Sequence, residues 1–136
     1  MTSVVVGFDG SDESRRALER AVSLAGGGEV TVVTATHVAP IAPKGPGVVV
    51  PNPAEAEERA EILGEAQSWL AERGIKARGV EVAGDAADAI INEAKETGAE
   101  FIVVGTRGRH GAARLLLGSV SSKVAAEAPC DVVVVH

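Results

Sequence analysis

Two stretches of this chain carry residues suited to chemistry. One is Gly105 to Ser119, GTRGRHGAARLLLGS, and the other is Gly7-Phe8-Asp9-Gly10-Ser11. In the first, two residues separate Gly105 from Gly108, nine separate Gly108 from Gly118, and Ser119 follows at once. Arg107, Arg109, His110 and Arg114 lie between the end glycines, with no acid among them. Glycine lets a backbone approach an anion closely. A helix start after such a loop aims free N–H groups and a favourable dipole at negative charge. The stretch therefore reads as a phosphate cradle. Asp9 follows a buried apolar run, at the turn that leads into the first helix.

The elements that must position these residues alternate along the chain. Ser3–Phe8 reads as a strand buried on both faces. Ser11 caps a helix with Asp12 and Glu13 in its first turn, and Gly26-Gly27-Gly28 ends it. Val30–Ala35 is a second strand. Residues 37–53 hold five of the six prolines and read as a loop, long for a compact domain. Ala54–Arg73 is a helix with one acidic side, a solvated face. Lys76–Val82 is a third strand, and Asp85 caps a helix that stops at Gly98. Phe101–Val104 is a fourth strand. Ser119 starts a helix as its N-cap, Pro129 breaks that helix, and Asp131–His136 is a fifth strand.

Strand–helix alternation predicts an open, doubly wound α/β fold with a parallel five-stranded sheet and helices on both faces. Ligands of such sheets bind beyond the carboxyl ends of strands, where the strand order reverses. The Asp9 corner and the Gly105 loop share one site only if the first and fourth strands are neighbours. The order 3-2-1-4-5 makes them so; the order 2-1-3-4-5 does not.

The chain has 136 residues, which predicts one domain over 1–136. Apolar residues make up 46% and aromatics 2%, so Val, Ile, Leu and Ala must build the core. The net charge of −6 argues against a nucleic-acid surface and makes the acid-free stretch the more conspicuous. One cysteine, Cys130, excludes an internal disulfide and reads as an inert thiol. No signal peptide and no membrane span are expected, which points to the cytoplasm. The apolar last strand, an edge in 3-2-1-4-5, predicts a homodimer paired through residues 131–136.

The spacing Gly105-x2-Gly108-x9-Gly118-Ser119 resembles the ATP-binding motif of universal stress proteins. Asp9, Gly84-Asp85-Ala86 and the Val-rich last strand also match, so the resemblance covers essentially the whole chain. It implies an adenine nucleotide alpha hydrolase-like fold in the order 3-2-1-4-5 and pairing through the last strands. It implies that Asp9 bonds ribose or adenine, that Gly7, Phe8 and Ala35 line the adenine, and that Gly105 lies on the ribose. Gly108, Gly118, Ser119 and Val120 would hold phosphates, with Thr106, Arg107 and Arg109 inside the motif. The implied ligand is ATP with Mg²⁺. Where many members carry His-Val near the end of the second strand, this chain has Thr34-Ala35, which implies looser adenine packing.

Other readings stay open. Asp9 fits a turn-closing role, and Ser119 fits an N-cap with or without an anion. The P-loop, the dinucleotide fingerprint, the nucleophile elbow and a zinc site have no counterpart in the sequence. Three function classes remain: a regulatory protein that binds ATP and hydrolyses it slowly at most, an adenine-nucleotide hydrolase or transferase, and a dimeric interaction protein without nucleotide.

Overall fold

The computed structural model describes residues 2–36, 53–106 and 118–136. The elements follow in strict alternation: β1 (Val4–Gly7), α1 (Asp12–Ala25), β2 (Val30–Thr36), α2 (Pro53–Glu72), β3 (Ala77–Ala83), α3 (Ala86–Thr97), β4 (Phe101–Gly105), α4 (Ser119–Glu127) and β5 (Asp131–Val135). The long connection 37–52 and the stretch 107–117 lie outside the described residues. So do the sequence candidates Arg107, Gly108 and Arg109, as well as His110 and Arg114.

The strands form one sheet in the order β3-β2-β1-β4-β5, every pair parallel. Val4 pairs with Val30 on one side and Phe101 on the other, which sets β1 at the centre. Alternation along the strands then divides the core. Val4, Val6, Val30, Val32 and Val103 face α1 and α2, where Leu18, Leu63 and Leu70 cover them. Val5, Val33, Ile102 and Val104 face α3 and α4, under Ile90, Ile91 and Val124. Strands covered on both faces are continuous apolar runs, and VVV and FIVV in β1 and β4 are such runs.

Local sequence decides the ends of the helices. The Ser11 side chain accepts from the Ser14 N–H, and Asp85 accepts from the Asp88 N–H, so both N-caps stand where the sequence places them. Gly26 and Gly98 close α1 and α3 in the left-handed conformation, at φ 53° and 64°. α2 begins on Pro53, one residue earlier than the apolar pattern suggests. Proline's fixed φ and missing N–H suit the first turn of a helix. One expectation fails. The N-cap of α4 is Gly118, at φ −71° and ψ 168°, and Ser119 is the first helical residue. Gly118 has no side chain to cap with; its extended backbone carries the entry, so the Ser119 hydroxyl is not spent on a cap.

Candidate functional site

β1 and β4 are neighbours whose helices leave on opposite faces, so a cleft opens at their carboxyl ends. At the end of β1 the chain turns through Phe8, Asp9 and Gly10 into α1. Gly10 has φ +82°, which a side chain would resist. Asp9 Oδ1 accepts from the Ser11 N–H at 2.9 Å. Its carboxylate thus closes an Asx turn, the structural role the sequence left open. Phe8 is buried and packs into the α1–α2 core. Its N–H donates to the Val33 carbonyl, and its carbonyl accepts the Thr34 hydroxyl at 3.0 Å. Those bonds tie the corner to β2.

The other half of the cleft lies at the end of β4. The Thr106 N–H donates to the Val135 carbonyl at 2.8 Å. The Thr106 carbonyl accepts from the Gly118 N–H and, at 3.1 Å, from the buried Ser121 hydroxyl. The start of α4 is therefore tied to Thr106, the residue that follows β4. Ser119 is exposed there, and Val120 is half-buried against the cleft.

The cleft has about 480 Å³ of empty space, part of it open to solvent, within the range of small-molecule sites. It brings together Gly7, Phe8, Asp9, Ala35, Gly105 and Val120, all expected from sequence. Thr106, Gly118 and Ser119 do not line it, though each is next in sequence to a lining residue or bonded to one that is: Thr106 follows Gly105 and accepts from the Gly118 N–H, and Ser119 precedes Val120. Sequence reasoning missed the wall made by Ala86 and Ile90 of α3, Val33 and Val104 of the sheet, and Ser14 of α1. The signals existed: Ala86 and Ile90 share a helix face, and Ser14 is the one polar residue on the buried side of α1. Among the described lining residues Asp9 is the only titratable one. The wall is mostly apolar, suited to a flat heterocycle, with polar groups at the Asp9 corner.

Two of the expected glycines have packing reasons. A Cβ at Gly7 would stand 2.7 Å from Ile90 Cδ1, so the absent side chain seats Ile90 in the wall. A Cβ at Gly105 would stand 2.7 Å from Glu13 Cβ and 3.1 Å from the Glu13 carbonyl carbon. Gly105 thus lets the first turn of α1 press against β4. Outside the cleft, burial pushes the Cys130 thiol up from its ordinary pKa, with the Asp131 charge adding to it, which keeps it protonated and unreactive near neutral pH. No group of three His, Cys, Asp or Glu side chains converges among the described residues.

The profile of the Universal stress protein family matches residues 1–136. The chain belongs to the universal stress protein family. It is 37% identical over 150 residues to Universal stress protein YxiE of Bacillus subtilis (strain 168), covering 98% of this chain and 97% of the relative. Among solved structures, a universal stress protein in complex with cAMP is 32% identical with a TM-score of 0.74, over 99% of this chain and 97% of that one. A universal stress protein from Archaeoglobus fulgidus in complex with dAMP is 25% identical with a TM-score of 0.77, over 100% and 98%. No helix among the described residues is long and apolar enough to cross a membrane.

Proposed function

We propose that this protein binds an adenine nucleotide in the cleft between the ends of β1 and β4. Its role in this reading is that of a nucleotide-dependent regulator in the stress response, acting in the cytoplasm as a single-domain homodimer. The observation that carries it is the cleft itself. An apolar wall from Ile90, Ala86, Val104 and Ala35 stands beside a fixed carboxylate corner, and the start of α4 faces them. A base fits the wall, ribose hydroxyls or base edges fit Asp9, and phosphates fit the first-turn N–H groups of α4. The cAMP and dAMP complexes of relatives support adenine as the base. ATP with Mg²⁺ is the ligand assigned, on the spacing of Gly105, Gly108, Gly118 and Ser119. Asp9, the only titratable group of the described wall, is held in a turn, so turnover of ATP is slow at most.

Isothermal titration with ATP and Mg²⁺, AMP and cAMP in separate runs tests this. Binding of ATP tighter than AMP supports the assignment, equal or tighter cAMP binding changes the ligand, and no binding of any of the three rejects it. Gly118→Val places a branched side chain where the α4 backbone must meet phosphate. It is expected to weaken ATP at least about tenfold, equivalent to about 1.4 kcal/mol.

A further inference from the structure

The polar group of the cleft least accounted for is Ser14. It lies inside α1, is 4% exposed, and has the only buried polar side chain of that helix. A buried hydroxyl on an otherwise apolar helix face is retained only if its bonds are satisfied. Its bonds form a closed ring. The Ser14 hydroxyl donates to the Ser11 carbonyl at 2.9 Å and accepts from the Asp9 N–H at 3.3 Å. The Ser11 hydroxyl accepts from the Ser14 N–H at 3.2 Å, and the Ser11 N–H donates to Asp9 Oδ1 at 2.9 Å. The Asp9 main chain is thus held by Ser14 and the Asp9 carboxylate by Ser11. Gly10 between them, at φ +82°, supplies no side chain to restrict the turn.

We propose that Ser14 is a positioning residue for nucleotide binding: its hydroxyl pins the Asp9 main chain to the first turn of α1 and so fixes where the Asp9 carboxylate stands in the cleft. The inference rests on the nucleotide reading above. Ser14 acts through Asp9 and need not touch the ligand. With alanine at 14, the bond from the Asp9 N–H to the Ser14 hydroxyl is lost and the turn gains freedom. A carboxylate that must be ordered on binding contributes less affinity than one already in place.

A double-mutant cycle tests this by titrating AMP, and ATP with Mg²⁺, into the unmodified protein, Ser14→Ala, Asp9→Ala and the double variant. Ser14→Ala alone is expected to weaken binding about fivefold, the scale of one net hydrogen bond. On the Asp9→Ala background it is expected to change affinity less than about 1.5-fold, because no carboxylate remains to be placed. An equal loss on both backgrounds, or no loss on either, overturns the proposal and leaves the nucleotide reading standing. If Ser14→Ala does not fold, Ser14→Cys, of similar size and a weaker acceptor, carries the same cycle. A readout without ligand separates the two failures. The Asp9 amide is expected to exchange with deuterium about tenfold faster in Ser14→Ala than in the unmodified protein. If no nucleotide binds anything, the functional reading falls, and the exchange rate still decides whether Ser14 holds the corner. An unchanged rate rejects it.

Discussion

Gly7 and Gly105 share a residue type and differ in what they accommodate, so alanine at each has a different cost. The atom facing Gly7 is Ile90 Cδ1, the end of a side chain that can rotate. Gly7→Ala is expected to cost about 1 kcal/mol, and less when combined with Ile90→Val. The atoms facing Gly105 are the Glu13 Cβ and backbone, which cannot move unless α1 moves. Gly105→Ala is expected to cost about 2 to 3 kcal/mol, with no relief from shortening Glu13 beyond its Cβ. Urea unfolding followed by Trp69 fluorescence measures both. Trp69 is the only tryptophan, packs on the α1–α2 core and lies under the Arg73 guanidinium at 3.8 Å. Equal costs would refute the distinction. The motif spacing singled out Gly105 and the family resemblance singled out Gly7, and both came with a ligand reason. Their partners, Ile90 and Glu13, are far away in the chain, and no local pattern names them. Ser14 escaped notice for a different reason: its partners Asp9 and Ser11 are near in the chain, but a serine inside a helix shows its value only when the turn before it is seen.

At the scale of elements, caps were legible wherever the chemistry is local. Ser11 and Asp85 each precede a helix and accept a hydrogen bond from the N–H three residues on. The start of α4 was not legible, because Gly118 and Ser119 are both acceptable caps, and the path of the chain from β4 decides between them. The Asp85 cap also links elements. Lys123 of α4 lies 3.3 Å from Asp85 and 2.9 Å from Asp88, joining α4 to the start of α3 beside the cleft wall. All three side chains are substantially exposed, so the pairs add little stability by themselves. Asp85→Ala removes cap and pair and is expected to cost about 1 kcal/mol, nearly all of it from the cap. Asp85→Asn keeps the cap and should cost clearly less. The hydrogen bonds to Asp88 and then Asp85 raise the Lys123 pKa. A raised lysine pKa makes its contribution present at neutral pH and lost only as pH rises through the alkaline range of lysine titration. The difference between the Asp85→Asn variant and the unmodified protein should therefore shrink above that range and stay constant from there down to neutral pH. Thermal unfolding at neutral and strongly alkaline pH checks this, and a difference that grew with pH would contradict it.

For the whole molecule, the strand order followed from requiring that two separated stretches share one site, and the sheet has that order. The order leaves two edges, and they are unlike. β3 carries exposed Arg78 and Glu81, charges that discourage a further strand. β5 carries Val132, Val133, Val134 and Val135, all half-buried, and no charge after Asp131. Val133 and Val135 lean on the α1–α2 core and Val132 and Val134 on the other, so both faces of the strand are partly covered and its hydrogen-bonding edge is what remains. The end of the strand is tied into the rest of the molecule, because the Val135 carbonyl accepts the Thr106 N–H and, just beyond the strand, the His136 carbonyl accepts from Arg16 at 2.8 Å. A second copy paired along β5 would complete that edge under two-fold symmetry. Sedimentation at micromolar concentration is expected to show a dimer. Val133→Lys, a charge of the kind that blocks edges, is expected to shift the equilibrium toward monomer by at least about tenfold while Trp69 still reports a folded core. A monomer for the unmodified protein, or a dimer indifferent to lysine at 133, would remove β5 as the interface.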